Sequence, residues 1–178
     1  LLASKPELAV RALDDSEATS LSAETQEKRK LLRARAYAKI GRGEEAMTLL
    51  GNDPGAAAES LRVDISWAAQ RWRTAADALG RLIGPPPGPG RLDEAKANLV
   101  LRRAVALNLA QDQPGLAVLR RDFAAAFAKG KHASEFEVLT RPRWSGALAN
   151  LDIIKSDIAV VDMFKDFLTA YRRADGGA

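Results

Sequence analysis

Apolar and small residues recur every three or four positions along most of the chain, in runs separated by turn-forming residues. This spacing is the pattern of amphipathic helices, each of which turns its apolar side towards a neighbour. No segment has the pattern of a strand, and no two-residue hairpin signal is present. The pattern therefore predicts an all-α fold of eight or nine helices in antiparallel pairs.

The clearest predicted helix pair spans residues 21–55, which we take as a first repeat. Ser22 is suited to cap a helix over residues 23–40, because its hydroxyl oxygen can accept a hydrogen bond from the first turn. Gly41 ends that helix, since glycine adopts the left-handed conformation of a helix C-terminus without strain. The five turn-forming residues 51–55 close the unit.

A second repeat is predicted over residues 56–83. Leu61 and Ile65 mark the apolar side of its first helix. Thr74 with Asp77 three residues later resembles a capping box, which predicts that the second helix begins there and ends near residue 83.

Two tryptophans, Trp67 and Trp72, flank the turn of this second repeat. Indole rings at such a position can fill the space between helices or stack on a ligand. We expect both rings to pack between helices of adjacent pairs.

A third repeat is predicted over residues 91–130, with Asp93 as N-cap of its first helix. Pro114 opens the second helix, because proline is tolerated in a first turn. Large apolar residues then follow at helical spacing and form one stripe, which comprises Leu116, Leu119, Phe123 and Phe127.

The remaining segments are read as flanks and a connector. Residues 1–20 are predicted to end an upstream repeat, with a short helix whose turns are marked by Leu8, Ala12 and Asp15. Residues 84–90 (GPPPGPG) cannot form a helix, and we interpret them as a plain connector rather than as a ligand for a proline-binding module.

The C-terminal part, residues 131–178, is predicted to cap the repeats. It contains a short helix over residues 134–139. Either two helices or one longer helix follow over residues 145–173, with Asp162 as the N-cap of the second in the two-helix case.

Composition supports close helix packing, because hydrophobic residues make up 47% of the chain and aromatic residues only 6%. There is no cysteine, so disulfides and thiolate metal sites are excluded. No uncharged apolar run approaches the roughly 18 residues that a membrane span needs. Because the chain begins at Leu1 without a signal-like segment, we expect it to be part of a longer protein, and its compartment stays open.

Candidate catalytic residues are few. His132 is the only histidine, so no pair of histidine metal ligands is available, and a catalytic triad would have to be built around this residue. It lies next to a predicted helix end, where a solvated histidine is the simpler interpretation. Acidic pairs such as Glu44 and Glu45 lie at helix ends, where they complement the helix dipole. We therefore expect no enzyme activity, no metal and no cofactor.

Basic residues are concentrated on the first helix of the first repeat, in a chain whose formal net charge is +4. A dense row of such residues can follow nucleic-acid phosphates. These residues are spread around the helix, however, which favours a solvated or protein-facing surface. The stretch comprises Lys28, Arg29, Lys30, Arg33, Arg35, Lys39 and Arg42. A basic nucleic-acid-binding module is the alternative function.

The first repeat resembles the tetratricopeptide repeat, in which a small residue, a tyrosine, a turn glycine, an alanine and a large apolar residue recur. These positions are Ala34, Tyr37, Gly41, Ala46 and Leu50. Aligning Tyr37 on Trp67 gives a 30-residue offset, and only the aromatic residue and an alanine then conform in the second repeat. The sequence as a whole, including the closing segment FLTAYRR, is also similar to the C-terminal part of large helical-repeat proteins of alphaproteobacteria, a group of unassigned activity.

The resemblance implies a right-handed solenoid of stacked helix pairs that binds other proteins in a concave groove. Carried over residue by residue, the groove positions of the first repeat are Lys28, Leu31, Arg35 and either Ala38 or Lys39. In the second repeat the corresponding Leu61 and Ile65 are apolar, so a carboxylate-capturing groove is not expected. The prediction is a non-catalytic scaffold that contacts a protein or peptide through Lys28, Arg35 and Lys39.

Overall fold

The computed structural model describes residues 5–16, 21–88 and 92–142, and these residues form eight helices and no strand. The all-α prediction is confirmed for these residues. The helices predicted within 145–173 lie outside them, and the stacking of the pairs into a solenoid stays a prediction. The helices are α1 (Pro6–Asp15), α2 (Ala23–Lys39), α3 (Gly43–Leu50), α4 (Ala56–Ala68), α5 (Trp72–Ile83), α6 (Glu94–Leu109), α7 (Gln113–Phe127) and α8 (Ala133–Thr140).

The chain divides into two compact units, Leu1–Ala78 and Leu79–Ala178, with the division inside α5. In the first unit, α2 packs against α1 on one side and against α3 and α4 on the other. The larger cluster of buried residues comprises Ala34, Ala46, Leu50, Ala58, Leu61 and Ile65. A smaller cluster, formed by Ala9, Val10 and Ala36, holds α1 against α2. Small residues at both contacts let the helix backbones approach closely.

In the second unit, α6, α7 and α8 pack against one another. The predicted stripe of α7 is fully buried, as its spacing indicated. Phe127 of this stripe stacks on Phe136 of α8, with ring centroids 4.2 Å apart. The side-chain amide of Asn108 donates to the carbonyl of Leu139 at 2.7 Å, which fixes the end of α8 to α6.

Three turns, those of α2–α3, α4–α5 and α6–α7, share one backbone geometry. In each, the residue after the C-cap has a positive φ, and the next amide donates to a carbonyl five residues back, which is the Schellman motif. The residues with positive φ are Gly41 (+82°), Gln70 (+56°) and Gln111 (+55°). The bonds are Arg42 to Tyr37 (2.8 Å), Arg71 to Ser66 (2.8 Å) and Asp112 to Leu107 (2.9 Å).

These turns correct the 30-residue offset of the sequence alignment. The residues with positive φ, at positions 41, 70 and 111, are 29 and 41 residues apart. Gly41 therefore corresponds to Gln70 and not to Arg71, and Tyr37 corresponds to Ser66. In this register Ala34 of the first repeat corresponds to Val63 of the second and Ala104 of the third, and all three side chains are buried.

Most predicted helix ends are confirmed. The hydroxyl of Ser22 accepts from the amide of Thr25, and the carboxylate of Asp93 accepts from the amide of Lys96. The connector is non-helical over residues 84–88, the part of it that the structure describes.

Two details of the helix predictions are wrong, and one helix start is shifted by a residue. Pro114 lies in the first turn of α7, as predicted, but the helix begins one residue earlier, at Gln113. The capping box at Thr74 is wrong because α5 already begins at Trp72. The face of α1 is also wrong, because Leu8 is exposed while Ala9 and Val10 are buried. In the described residues, no helix combines the length and apolar character that crossing a bilayer requires.

Candidate partner-binding surface on α2

Helix α2 has two packed sides and one side that faces solvent. Ala36 packs towards α1, while Ala34 packs into the cluster shared with α3 and α4. The solvent side carries four exposed residues at spacings of four, three and four, which we call the open face: Lys28, Leu32, Arg35 and Lys39. Residues at these spacings lie in one row along a helix, here about 16 Å long.

The open face contains the three predicted contact residues Lys28, Arg35 and Lys39. Lys28 forms an exposed ion pair with Glu24 one turn earlier, at 2.6 Å. Within the described part of the chain, neither Arg35 nor Lys39 has a hydrogen bond or an ion pair. An exposed ion pair such as Lys28–Glu24 contributes little to stability, so Lys28 can exchange Glu24 for a partner's carboxylate. All three cations of the row are therefore available to a partner.

Two other predicted groove residues are placed differently. Leu31 and Ala38 pack against the buried cluster of the first unit, so Lys39 rather than Ala38 belongs to the open face. The neighbouring Leu32, which sequence reasoning missed, is 43% exposed and lies between the cations. Its exposure could not be read from the sequence, because adjacent leucines 31 and 32 fit a buried stripe equally well.

Two further basic residues of α2 point towards the C-terminal end of α1. Arg29 donates to the carbonyl oxygen of Leu13 at 2.6 Å and to the hydroxyl of Ser16 at 3.0 Å. Arg33 donates to the same carbonyl at 3.2 Å and pairs with Asp14 at 2.8 Å. Carbonyl groups at a helix C-terminus lack partners within the helix and carry partial negative charge, which explains why arginines bind there.

The two remaining cations of the basic stretch, Lys30 and Arg42, also have partners inside the first unit. Arg42 pairs with Glu45, and its guanidinium lies over the ring of Tyr37, 4.4 Å from the centroid. Lys30 pairs with Glu27 at 3.1 Å and with Asp53 at 3.2 Å. These contacts raise the pKa of Lys30, the hydrogen bond to Glu27 most strongly.

The loop between α3 and α4 is organised by Arg62, which sequence reasoning missed. Its guanidinium is buried and donates to the carbonyls of Gly51 and Asp53, both at 2.7 Å, and to that of Leu50 at 3.3 Å. It also pairs with the buried Glu59 at 2.9 Å. No spacing rule identifies this role, because its backbone acceptors lie nine to twelve residues upstream.

Asp53 completes that loop. Its carboxylate accepts a hydrogen bond from the amide of Gly55 at 2.8 Å and pairs with Lys30. Both contacts favour the charged form, and the pKa of Asp53 is lowered, first by the Gly55 amide and next by Lys30.

The residues weighed for other chemistry are placed as follows. His132 precedes α8, and its Nδ1 lies 3.6 Å from Glu135. Among the described residues, no group of three or more histidine, aspartate or glutamate side chains is placed to hold a metal ion. The rings of Trp67 and Trp72 meet edge to face across the α4–α5 turn, with ring centroids 5.4 Å apart. Their packing between helices of adjacent pairs stays a prediction.

Comparison of the chain with protein-family models, with curated proteins and with solved structures finds no match in any of the three.

Proposed function

We propose that this chain is a non-catalytic helical-repeat scaffold that binds a partner protein through the open face of α2. The observation that carries the proposal is the contrast on this one helix. Of the seven cations within residues 28–42, five have a partner inside the first unit: Lys28, Arg29, Lys30, Arg33 and Arg42. Arg35 and Lys39 have no partner among the described residues. Leu32 lies exposed between Lys28 and Arg35. An apolar side chain flanked by available charges is typical of a protein-binding surface.

We further propose that the helix pairs stack as in tetratricopeptide-repeat proteins. The recurrence of one Schellman turn in three pairs supports this, because a repeated turn gives successive pairs the same internal geometry. The small residues Ala34 and Ala104 occupy corresponding buried positions, as close packing of paired helices requires.

Affinity capture from the native organism, followed by crosslinking and mass spectrometry, tests the function. We expect the unmodified chain to crosslink to a partner through α2. The triple variant Lys28→Glu, Arg35→Glu, Lys39→Glu should lose that partner. If it captured the same proteins in the same amounts, the open face would not be the binding surface.

The matched control reverses three exposed cations elsewhere, in the variant Lys5→Glu, Arg11→Glu, Lys129→Glu. These residues are exposed, and the variant undergoes the same change in net charge. It should retain the partner. Loss of the partner in both variants would mean that overall charge, and not the open face, determines capture.

A further inference from the structure

The chemistry of the open face indicates what kind of partner fits it. Three cations and one leucine lie in a row on α2. The acidic residues nearest in sequence are Glu27, which pairs with Lys30, and Glu24, which pairs with Lys28. Lys28 and Lys39 lie at the two ends of the row, while Leu32 and Arg35 lie between them. The row thus presents positive charge along its whole length around a single apolar contact.

We infer that the partner, in the function proposed above, presents an acidic segment about three helical turns long with an apolar side chain that packs on Leu32. Carboxylates of this segment pair with Arg35 and Lys39, whose charges no residue of the described chain neutralises. Charge complementarity of this kind sets orientation and association rate, while burial of the apolar pair slows dissociation.

The same observations favour a protein over a nucleic acid. Strong binding to nucleic acid engages about 6–10 phosphates, whereas the open face offers three cations. Base stacking needs an accessible aromatic ring, and the nearest one, Tyr37, packs against both buried clusters beneath Arg42. An exposed leucine in the middle of the row contributes nothing to phosphate binding and fits an apolar side chain.

The probe is a phage-displayed library of random 16-residue peptides, selected on the full chain. We expect the selected peptides to be rich in aspartate and glutamate and to share at least one large apolar residue. Arg35→Glu with Lys39→Glu should weaken the best peptide by about tenfold or more, and Lys5→Glu with Arg11→Glu should leave it unchanged.

The apolar contact is tested separately with Leu32→Ser. We expect this change to weaken the best peptide by roughly fivefold, and to have no effect on a version of the peptide whose apolar residue is alanine. Leu8→Ser is the matched control, because Leu8 is an exposed leucine of the same unit but belongs to α1 and not to the row on α2.

The outcomes separate the inference from the proposed function. Selection of neutral or basic peptides, or of peptides insensitive to Arg35 and Lys39, overturns the acidic partner even where capture from the native organism supports a scaffold. Displacement of the best peptide by a 20-base-pair DNA duplex at equal concentration overturns the preference for a protein. Failure of native capture, with acidic peptides still selected, contradicts the function and leaves the surface chemistry intact.

Discussion

Arg62 on α4 and Arg35 on α2 are both arginines in the interior of amphipathic helices, yet their surroundings differ. The guanidinium of Arg62 is buried among three carbonyls and a carboxylate, whereas that of Arg35 is exposed and contacts no polar partner among the described residues. The difference arises from the chain around each residue, because the α3–α4 loop brings its carbonyls to α4 and nothing described covers the open face of α2. Residue type alone therefore does not distinguish a structural cation from a binding cation.

The strongest test of this contrast is removal of the buried guanidinium. Arg62→Met keeps most of the side-chain volume but leaves the carbonyls of Gly51 and Asp53 without their donor and Glu59 without its arginine. We expect the free energy of unfolding to fall by about 3 kcal/mol, because removing one partner of a buried ion pair is strongly destabilising. Urea denaturation followed by circular dichroism at 222 nm measures the loss.

The double variant Arg62→Met, Glu59→Leu shows whether the loss of stability comes from the broken ion pair between Arg62 and Glu59. Removing the carboxylate as well should recover about 1 kcal/mol or more, since a buried pair can be exchanged for apolar residues at small cost. A double variant no more stable than the single one would assign the whole loss to the loop carbonyls.

A smaller effect is expected where arginines hold a helix end. Replacing both Arg29 and Arg33 with alanine removes the donors to the carbonyl of Leu13 and the ion pair with Asp14. We expect a loss of about 1–2 kcal/mol, concentrated in α1, because each hydrogen bond contributes about 1 kcal/mol. Amide hydrogen exchange should accelerate over Pro6–Asp15 and stay unchanged in α4.

Arg11→Ala is the control for this change, because Arg11 is an exposed arginine on α1 itself. It should leave the exchange rates of α1 as they are. Equal acceleration by both variants would show that α1 responds to its own surface and not to the arginines of α2.

Local rules predicted much of the fold and less of the site. The caps of α2 and α6 and the stripe of α7 follow from contacts within a few residues, so the sequence was sufficient. The positive φ of Gln70 and of Gln111 was not predicted, because glutamine rarely adopts this conformation and here the helix pair imposes it. The roles of Arg62 and Leu32 depend on which loops and helices lie nearby, which spacing along the chain does not encode.

The stability of the chain should depend on pH through Asp53, which lies in the loop between α3 and α4. The pKa of Asp53 in the folded chain is lowered from its ordinary value of 3.8, so its contribution to stability is fully present above that value and is lost as the pH falls through the folded pKa. We expect Asp53→Asn to be less stable than the unmodified chain at pH 6, and this difference to shrink by pH 3. Urea midpoints at both pH values measure it.

Lys30→Met separates the two causes of the Asp53 shift. It removes the ion pair but keeps the hydrogen bond from the Gly55 amide, which is the larger cause. The variant should therefore keep most of the acid sensitivity. Complete loss of that sensitivity would make the ion pair, rather than the backbone amide, the dominant contact.

The smallest expected effect on stability belongs to the open face. Arg35→Ala with Lys39→Ala removes side chains that form no hydrogen bond or ion pair with any described residue, so the free energy of unfolding should change by less than about 0.5 kcal/mol. Arg33→Ala, on the same helix, should cost more, since Arg33 contacts α1. If Arg35 and Lys39 are binding cations, substitutions at these two residues should leave the urea midpoint unchanged and still weaken binding of the selected peptide. A loss of stability above about 1 kcal/mol would show that Arg35 and Lys39 support the fold, and it would remove the reason for placing a partner there.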